Sequence, residues 1–331
     1  MANVTKTVKS SGGDYTTLNA ALAGMAGDLT TDCGGTGGAG ILTIECYAMS
    51  DTTKPSTGTG YTTSSSYYIN ITVPSAERHD GKWNTNKYRL ELSDWDSGLQ
   101  NSANYTVVDG LQISMSHTLG AGYCISCPAE YITVKNCLLT RTATANRSSG
   151  VNAAKNLTLI NTILWRHTSG VSVSWTADGD NVSYIYNCTI SDCTQYGIIT
   201  DVGTHTVTNC AVFNTNNDFA NNNGTLTISY CASDDGDGTN AVNISPGATE
   251  ADDWADAFVD YANGDFHVKD TNSVLYNAAT DLSGTFTNDI DGDTRSQWDI
   301  GADEYVAAAT GSPRSNPFSR PFRGPFGRGG F

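Results

Sequence analysis

Between residues 105 and 235, apolar and polar positions alternate in short bursts that return at a nearly regular interval. Five segments share one pattern: ITVKNCLLTR (132–141), LTLINTILWR (157–166), SYIYNCTISD (183–192), HTVTNCAVFN (205–214) and LTISYCASDD (226–235). Each alternates up to Asn136, Asn161, Asn187, Asn209 or Tyr230, passes through Cys or Thr, and enters a second apolar stretch. YTVVDGLQIS (105–114) is a degenerate earlier copy that puts Asp109 and Gly110 in the same register. Period-two alternation predicts strands. The interval of 21 to 27 residues is too short for a strand, a full crossover helix and a second strand.

One copy cannot bury its apolar face alone, but coils stacked about 4.8 Å apart bury a continuous core. The fold expected is therefore all-β: a right-handed parallel β-helix, a single-stranded solenoid in which like residues form columns. Val134, Leu159, Ile185, Val207 and Ile228 make an aliphatic column. Cys137, Thr162, Cys188, Cys210 and Cys231 make a column of small buried residues. Asn136, Asn161, Asn187 and Asn209 belong at a bend, where Asn tolerates the left-handed conformation and its amide can bond from coil to coil.

Three regions follow. Residues 1–40 hold an N-terminal lead-in and a capping helix, LNAALAGM (18–25), with Asp14, Thr16 or Thr17 as N-cap. Residues 41–305 form the β-helix, with 41–47, 67–73 and 88–92 in its first coils and Asp265–Tyr305 closing its far end. Residues 306–331 form an extended basic tail.

Composition agrees with many short strands and turns: the chain has 34 Gly and only 8 Pro. The net charge of −16 is uneven, because Arg314, Arg320, Arg323 and Arg328 follow the last acidic residue, Glu304. The body carries 14 Lys/Arg against 34 Asp/Glu, or −20. Such a body repels nucleic acid and anionic lipid, so neither is expected as a partner. The N-terminus shows no apolar signal-peptide stretch, which points to synthesis in a cytoplasm. The nine cysteines include one isolated CxxC, Cys124 and Cys127, and no paired metal-site spacing, so buried free thiols are expected.

SSGGDYTTLNAALA (10–23), the Asn-Cys repeats and GDFHVKDTNSVLYNAATDLSG…DIDGDTRSQWDIGADEY (264–305) resemble the pectate-lyase-like β-helix superfamily. ERHDGKWNTNKYRLEL (77–92) is closer to its phage and environmental members. The resemblance covers nearly everything before residue 306. It implies the fold, whereas the superfamily's functions span lyases, hydrolases, tailspikes and non-catalytic binders.

A lyase of this kind implies Ca²⁺ held by carboxylates beside a basic proton acceptor. The acidic clusters are Asp234, Asp235, Asp237 and Asp289, Asp291, Asp293. Each suits Ca²⁺ by its hard oxygen ligands, but an Asp/Gly turn whose carboxylates accept backbone N–H groups is the plainer reading of both. No cofactor is required, and a Ca²⁺ ion in these clusters would be structural. Arg141 and Arg166, five residues after their asparagines, are the base candidates, with Asp192 continuing their column. An Arg166–Asp192 ion pair between coils is the plainer reading. His167 adjoins them, and Trp165 and Trp175 offer faces for a sugar. His79, Asp80, Lys82 and Trp83 share a loop between early coils.

In the tail, Pro-Phe recurs every four residues, placing Phe318, Phe322 and Phe326 among Arg320 and Arg323. Pro keeps such a segment extended, and its rings and guanidiniums suit docking onto other protein subunits. The reading these features fit best is a non-catalytic structural or decorating protein of a phage virion or other extracellular assembly, anchored by its tail. A glycan-binding adhesin or fibre is one alternative. A polysaccharide lyase or tailspike-type glycoside hydrolase is the other.

Overall fold

The computed structural model describes residues 2–93, 97–116, 121–142, 147–173, 180–234, 236–243 and 250–307. Over this range the chain winds into a right-handed parallel β-helix of three sheets, two with nine strands and one with six. Successive coils add strands to these sheets in chain order, the six-stranded sheet beginning at Ser97–Gln100. The first sheet runs from Val4–Val8 through Leu42–Cys46, Ile69–Thr72, Thr106–Asp109 and Ile132–Lys135 to Thr225–Ser229. Its strands are rich in Val, Ile and Thr, whose branched side chains suit a pleated surface. Ile71, Val108, Val134, Leu159, Ile185, Val207 and Ile228 pair in one continuous register. Most of this column is fully buried.

The bend after the first sheet is held by residues in the left-handed region. Asn136, Asn161, Asn187, Asn209 and Tyr230 have φ of 52°, 45°, 46°, 60° and 52°. Each asparagine N–H donates to the next coil: Asn136 to Ile160, Asn161 to Tyr186, Asn187 to Thr208 and Asn209 to Ser229, at 3.0–3.2 Å. Side-chain bonds join Asn161 to Asn136 at 3.3 Å and Asn209 to Asn187 at 3.0 Å. In the earlier copy the register corrects the alignment by one residue. Asp109 pairs with Lys135, so Gly110, with φ of 80°, occupies the bend. Asp109 instead faces outward, where it accepts from Asn136 at 2.8 Å and pairs with Arg78 at 2.9 Å.

Inside the bend, Cys137, Cys188, Cys210 and Cys231 are buried and free, as are the other five cysteines. Backbone N–H groups of Cys188 and Cys210 point at the sulfur of the next coil, at 3.5 and 3.4 Å. Thr162 takes the same place beneath Cys137, at 3.5 Å.

The two ends differ from expectation in instructive ways. The first strand of the first sheet is Val4–Val8, within the stretch expected to be only a lead-in. Helix α1, Leu18–Gly24, starts at Thr17, whose side chain accepts from the Ala20 N–H, and buries Leu18, Ala21 and Leu22. Helix α2, Glu250–Ala257, begins a C-terminal segment that lies along the side of the β-helix instead of closing its far end. Trp254, Phe258, Phe266, Leu275, Ile290 and Ile300 pack on Leu138, Ile163, Ala211, Phe213 and Ala232 of the second sheet.

The reason is legible in the second sheet itself. Leu138–Arg141 is buried at every position, with Leu139 in the inner core and Leu138 facing outward, so the outer face needs a cover. The cover is stitched to the asparagine bend. Asn161 and Asn187 share no side-chain bond, and here the C-terminal segment inserts. Arg295 Nη2 donates to Asn161 Oδ1 at 3.1 Å and to the Gly301 and Ala302 carbonyls at 3.1 and 2.8 Å. Asn187 Nδ2 donates to the Asp299 and Gly301 carbonyls, and Asn209 Nδ2 to that of Thr280. Residues 308–331, with Phe318, Phe322, Phe326, Arg320 and Arg323, lie outside the described residues.

Two outcomes follow. Asn187→Leu should cost about 3 kcal/mol or more, combining left-handed strain of roughly 1–2 kcal/mol with the loss of buried hydrogen bonds. Asn187→Gly keeps the bend and loses only the amide bonds, so its urea midpoint should fall between wild type and Leu. Equal losses for the two variants would move the cost away from the bend. Cys137, Cys188, Cys210 and Cys231 should stay unlabelled in a thiol titration without denaturant and react fully in guanidinium, because burial raises the Cys137, Cys210 and Cys231 thiols well above their ordinary value.

Candidate functional site

The polar residues singled out in the sequence collect around the second sheet, beneath or beside the C-terminal segment. Arg166 (φ 66°) and Asp192 (φ 55°) occupy adjacent coils at the bend after that sheet. The Arg166 guanidinium lies 3.9 Å from the Trp165 ring centre, and its Nε is 4.0 Å from Asp192 Oδ2. Trp165 Nε1 donates to the same Asp192 oxygen at 2.8 Å. The indole is also covered: a Cβ on Gly264 would sit 2.5 Å from it, and Phe266 meets it edge-on. Trp165 is therefore no open platform for a sugar. Trp175 lies outside the described residues.

Arg141 is 2% exposed, with Nη1 donating to the Gly122 carbonyl at 3.3 Å, and burial lowers its pKa. His167 is as deeply buried, and its Nε2–H donates to the Leu139 carbonyl at 3.0 Å. Burial brings its pKa down to about 4, so it is neutral at physiological pH. His79 repeats this arrangement between the Asn136 carbonyl and the Gly81 N–H, also at a pKa of about 4. Such histidines fill polar positions of the core.

The acidic clusters are organised by the backbone. Asp289 Oδ1 accepts from the N–H groups of Asp291, Gly292 and Asp293 at 2.8–3.0 Å, and its Oδ2 from Glu304 at 3.0 Å. With four donors its carboxylate is the anchor of a turn, not a free ligand, and Asp293 is exposed. In the other cluster Asp235 lies outside the described residues, and Asp237 N–H donates to Ser233. Asp234 meets Asp218, a residue the sequence reading passed over. Burial and the Asp234 carboxylate push Asp218 up to about 8. Asp218 Oδ2 accepts from the Asp234 backbone N–H at 3.4 Å and its Oδ1 from the Thr215 hydroxyl at 2.8 Å, so it is committed to local bonds.

A different face offers an open site. Tyr68, Tyr105 and Tyr131 immediately precede first-sheet strands in three successive coils, which places them in one column at the sheet's leading bend. Tyr105 and Tyr131 have φ of 49° and 58°. A bulky residue seldom adopts this conformation unless the surroundings hold it there. Their rings stack with centroids 4.7 Å apart and planes within 4°. Asn156 continues the column at φ 54°. Beyond it, Tyr184 projects from the sheet two coils after Tyr131. Together they line an open trough of about 640 Å³ that also includes Val107, Thr133, Thr158 and Val182.

Tyr131 is 48% exposed and Tyr184 39%. Neither hydroxyl makes a hydrogen bond to the described residues, whereas the buried Tyr88 hydroxyl is bonded to Asp51. Among the described residues, Asp180 is the one charged residue lining the trough. Aromatic faces with unengaged hydroxyls, flanked by threonine and asparagine, suit a ligand with alternating apolar and hydroxyl surfaces. The signal was present in the sequence as Tyr-Ile-Asn-Ile, Tyr-Thr-Val-Val and Tyr-Ile-Thr-Val at 68, 105 and 131. It was overshadowed by the asparagine repeat four or five residues later.

No known family profile matches the chain, and no curated protein matches it. Among solved structures it is similar to that described as "Crystal structure of pectate lyase Pel9A", at 14% identity and a TM-score of 0.47, over 92% of this chain and 98% of that one.

Proposed function

We propose that this protein is a non-catalytic glycan-binding β-helix, which takes a neutral polysaccharide along the tyrosine trough of its first sheet. The observation that carries this reading is the stacked Tyr105–Tyr131 pair, held in the left-handed conformation with Tyr131 half exposed. A stacked aromatic pair with one ring half exposed on an open face supports a binding role. A neutral ligand is favoured because, among the described residues, no Arg or Lys lines the trough, and the body is strongly acidic. Lyase chemistry is disfavoured by the same charge pattern: Arg141 is buried, Arg166 is paired with Asp192, and neither lines the trough.

The tail completes the proposal. Phe318, Phe322 and Phe326, with Arg320 and Arg323, would anchor the glycan-binding rod to other subunits of an extracellular particle or filament.

Tyr131→Ala and Tyr184→Ala should each weaken binding to a neutral polysaccharide about tenfold in affinity electrophoresis, the equivalent of one aromatic contact of roughly 1.4 kcal/mol. Polygalacturonate should be neither retained nor cleaved, with or without Ca²⁺. Undiminished binding by the double variant, or unsaturated product lost on Arg166→Ala, would each reject this assignment. Truncation after Tyr305 should leave glycan binding intact while abolishing co-sedimentation with the assembly. Wild-type incorporation of the truncated chain would remove the anchoring role.

A further inference from the structure

Away from the trough, the lateral segment makes a second concave site that the glycan-binding reading does not use. Strand Asp265–Val268, the turn anchored by Asp289 and the stretch around Asp303 converge there on the Gly81 loop, around a cavity of about 500 Å³. His267, Asp291 and Asp303 each present one donor atom, and the three atoms lie within 4.8 Å of one another.

We propose that His267, Asp291 and Asp303 bind a divalent transition-metal ion that keeps open coordination positions toward this cavity.

Four features point to a cation. Asp291 Oδ1 is buried and has no hydrogen-bond partner, a costly state for a carboxylate oxygen unless a ligand takes it. Asp303 is 5% exposed, with Oδ2 fixed by the Val268 N–H at 2.7 Å. His267 Nδ1 is held by the Asp265 carboxylate, and Lys82 lies 3.3 Å from Asp265. A carboxylate behind the imidazole is the arrangement that orients metal-binding histidines and aims the other nitrogen at the ion. Finally, Gly81 (φ 72°) leaves room on the ligand side. A Cβ there would sit 2.7 Å from Asp291 Oδ1 and 2.8 Å from His267 Nε2.

The donor set selects the ion class. One imidazole nitrogen with two carboxylate oxygens suits Zn²⁺, Mn²⁺, Fe²⁺ or Co²⁺, whereas Ca²⁺ takes six to eight oxygens. Bonds of about 2.1 Å require donors about 3.0–3.4 Å apart. His267 Nε2 and Asp291 Oδ2 already stand at 3.0 Å, and the three donor atoms lie within 4.8 Å of one another. In the metal-free protein His267 Nδ1–H donates to the Asp265 carboxylate and Nε2–H to Asp291 Oδ2, so metal uptake displaces the Nε2 proton and leaves Nδ1–H on Asp265.

The test uses the full chain, freed of metal with a chelator and titrated with Zn²⁺ and with Co²⁺. The expected result is one ion per chain, release of a proton on binding, and a Co²⁺ visible spectrum. Affinity should drop at least tenfold in His267→Gln and Asp291→Asn and stay unchanged in Asp234→Asn, which alters the other acidic cluster. Should the site variants fail to fold, ¹H–¹⁵N histidine spectra of the wild type decide. His267 should pass from doubly protonated to Nδ1-protonated with Nε2 on Zn²⁺. No uptake by the wild type overturns the assignment, as does uptake that leaves the His267 signals unchanged.

Discussion

The left-handed bend after the first sheet sets the phase of the whole molecule. Side chains in a strand alternate between faces, so a slip of one residue would turn every inward Val and Ile outward. What prevents the slip is a conformation that only a few positions in each coil can adopt. Asn136, Asn161, Asn187 and Asn209 adopt it at low cost, and each passes its N–H to the coil above. Gly110 meets the same need without a side chain. With the phase fixed there, sulfur and hydroxyl groups fall above one another inside the bend. The outward rows of the first sheet fall equally into line, which makes a column of tyrosines geometrically possible.

The repeat was legible because it rests on local rules: period-two alternation, and Asn where φ must be positive. The exact register of the degenerate copy was not, since Asp and Gly are both ordinary bend residues and only backbone pairing shows that Gly110 takes the bend. The first strand, Val4–Val8, escaped notice because it precedes a helix and carries Lys6 and two threonines, with no repeat motif beside it. The placement of the C-terminal segment was beyond sequence reasoning. Its apolar residues fit the end of a solenoid and its flank equally well. The choice was made by Leu138, Ile163 and Phe213, which lie outward on the second sheet and must be covered.

That choice divides the surface by chemistry. The flank of the second sheet carries most of the candidate catalytic groups, yet it is where the protein binds itself. Trp165 meets Phe266 and Gly264, Arg295 enters the gap between Asn161 and Asn187, and Arg166 closes on Asp192. Among the described residues the first sheet has no such cover. Its outer rows are largely Thr, Tyr and Asn, which tolerate water, so that face remains available to a ligand.

Hydrogen-bonding capacity then separates structural polar residues from functional ones better than residue type does. His167 looks reactive in sequence, but its Nε2–H is committed to the Leu139 carbonyl and its ring is neutral. Asp289 sits in the most metal-like motif of the chain, but four backbone donors occupy its carboxylate. Tyr131 and Tyr184 are less conspicuous in sequence and keep free hydroxyls on an open face. Asp291, two residues from Asp289, keeps a buried oxygen without a partner. Among the described residues eight buried side-chain polar atoms have no partner, and of these Asp291 Oδ1 is the one that stands beside two further metal-donor groups, where a cation would supply what it lacks.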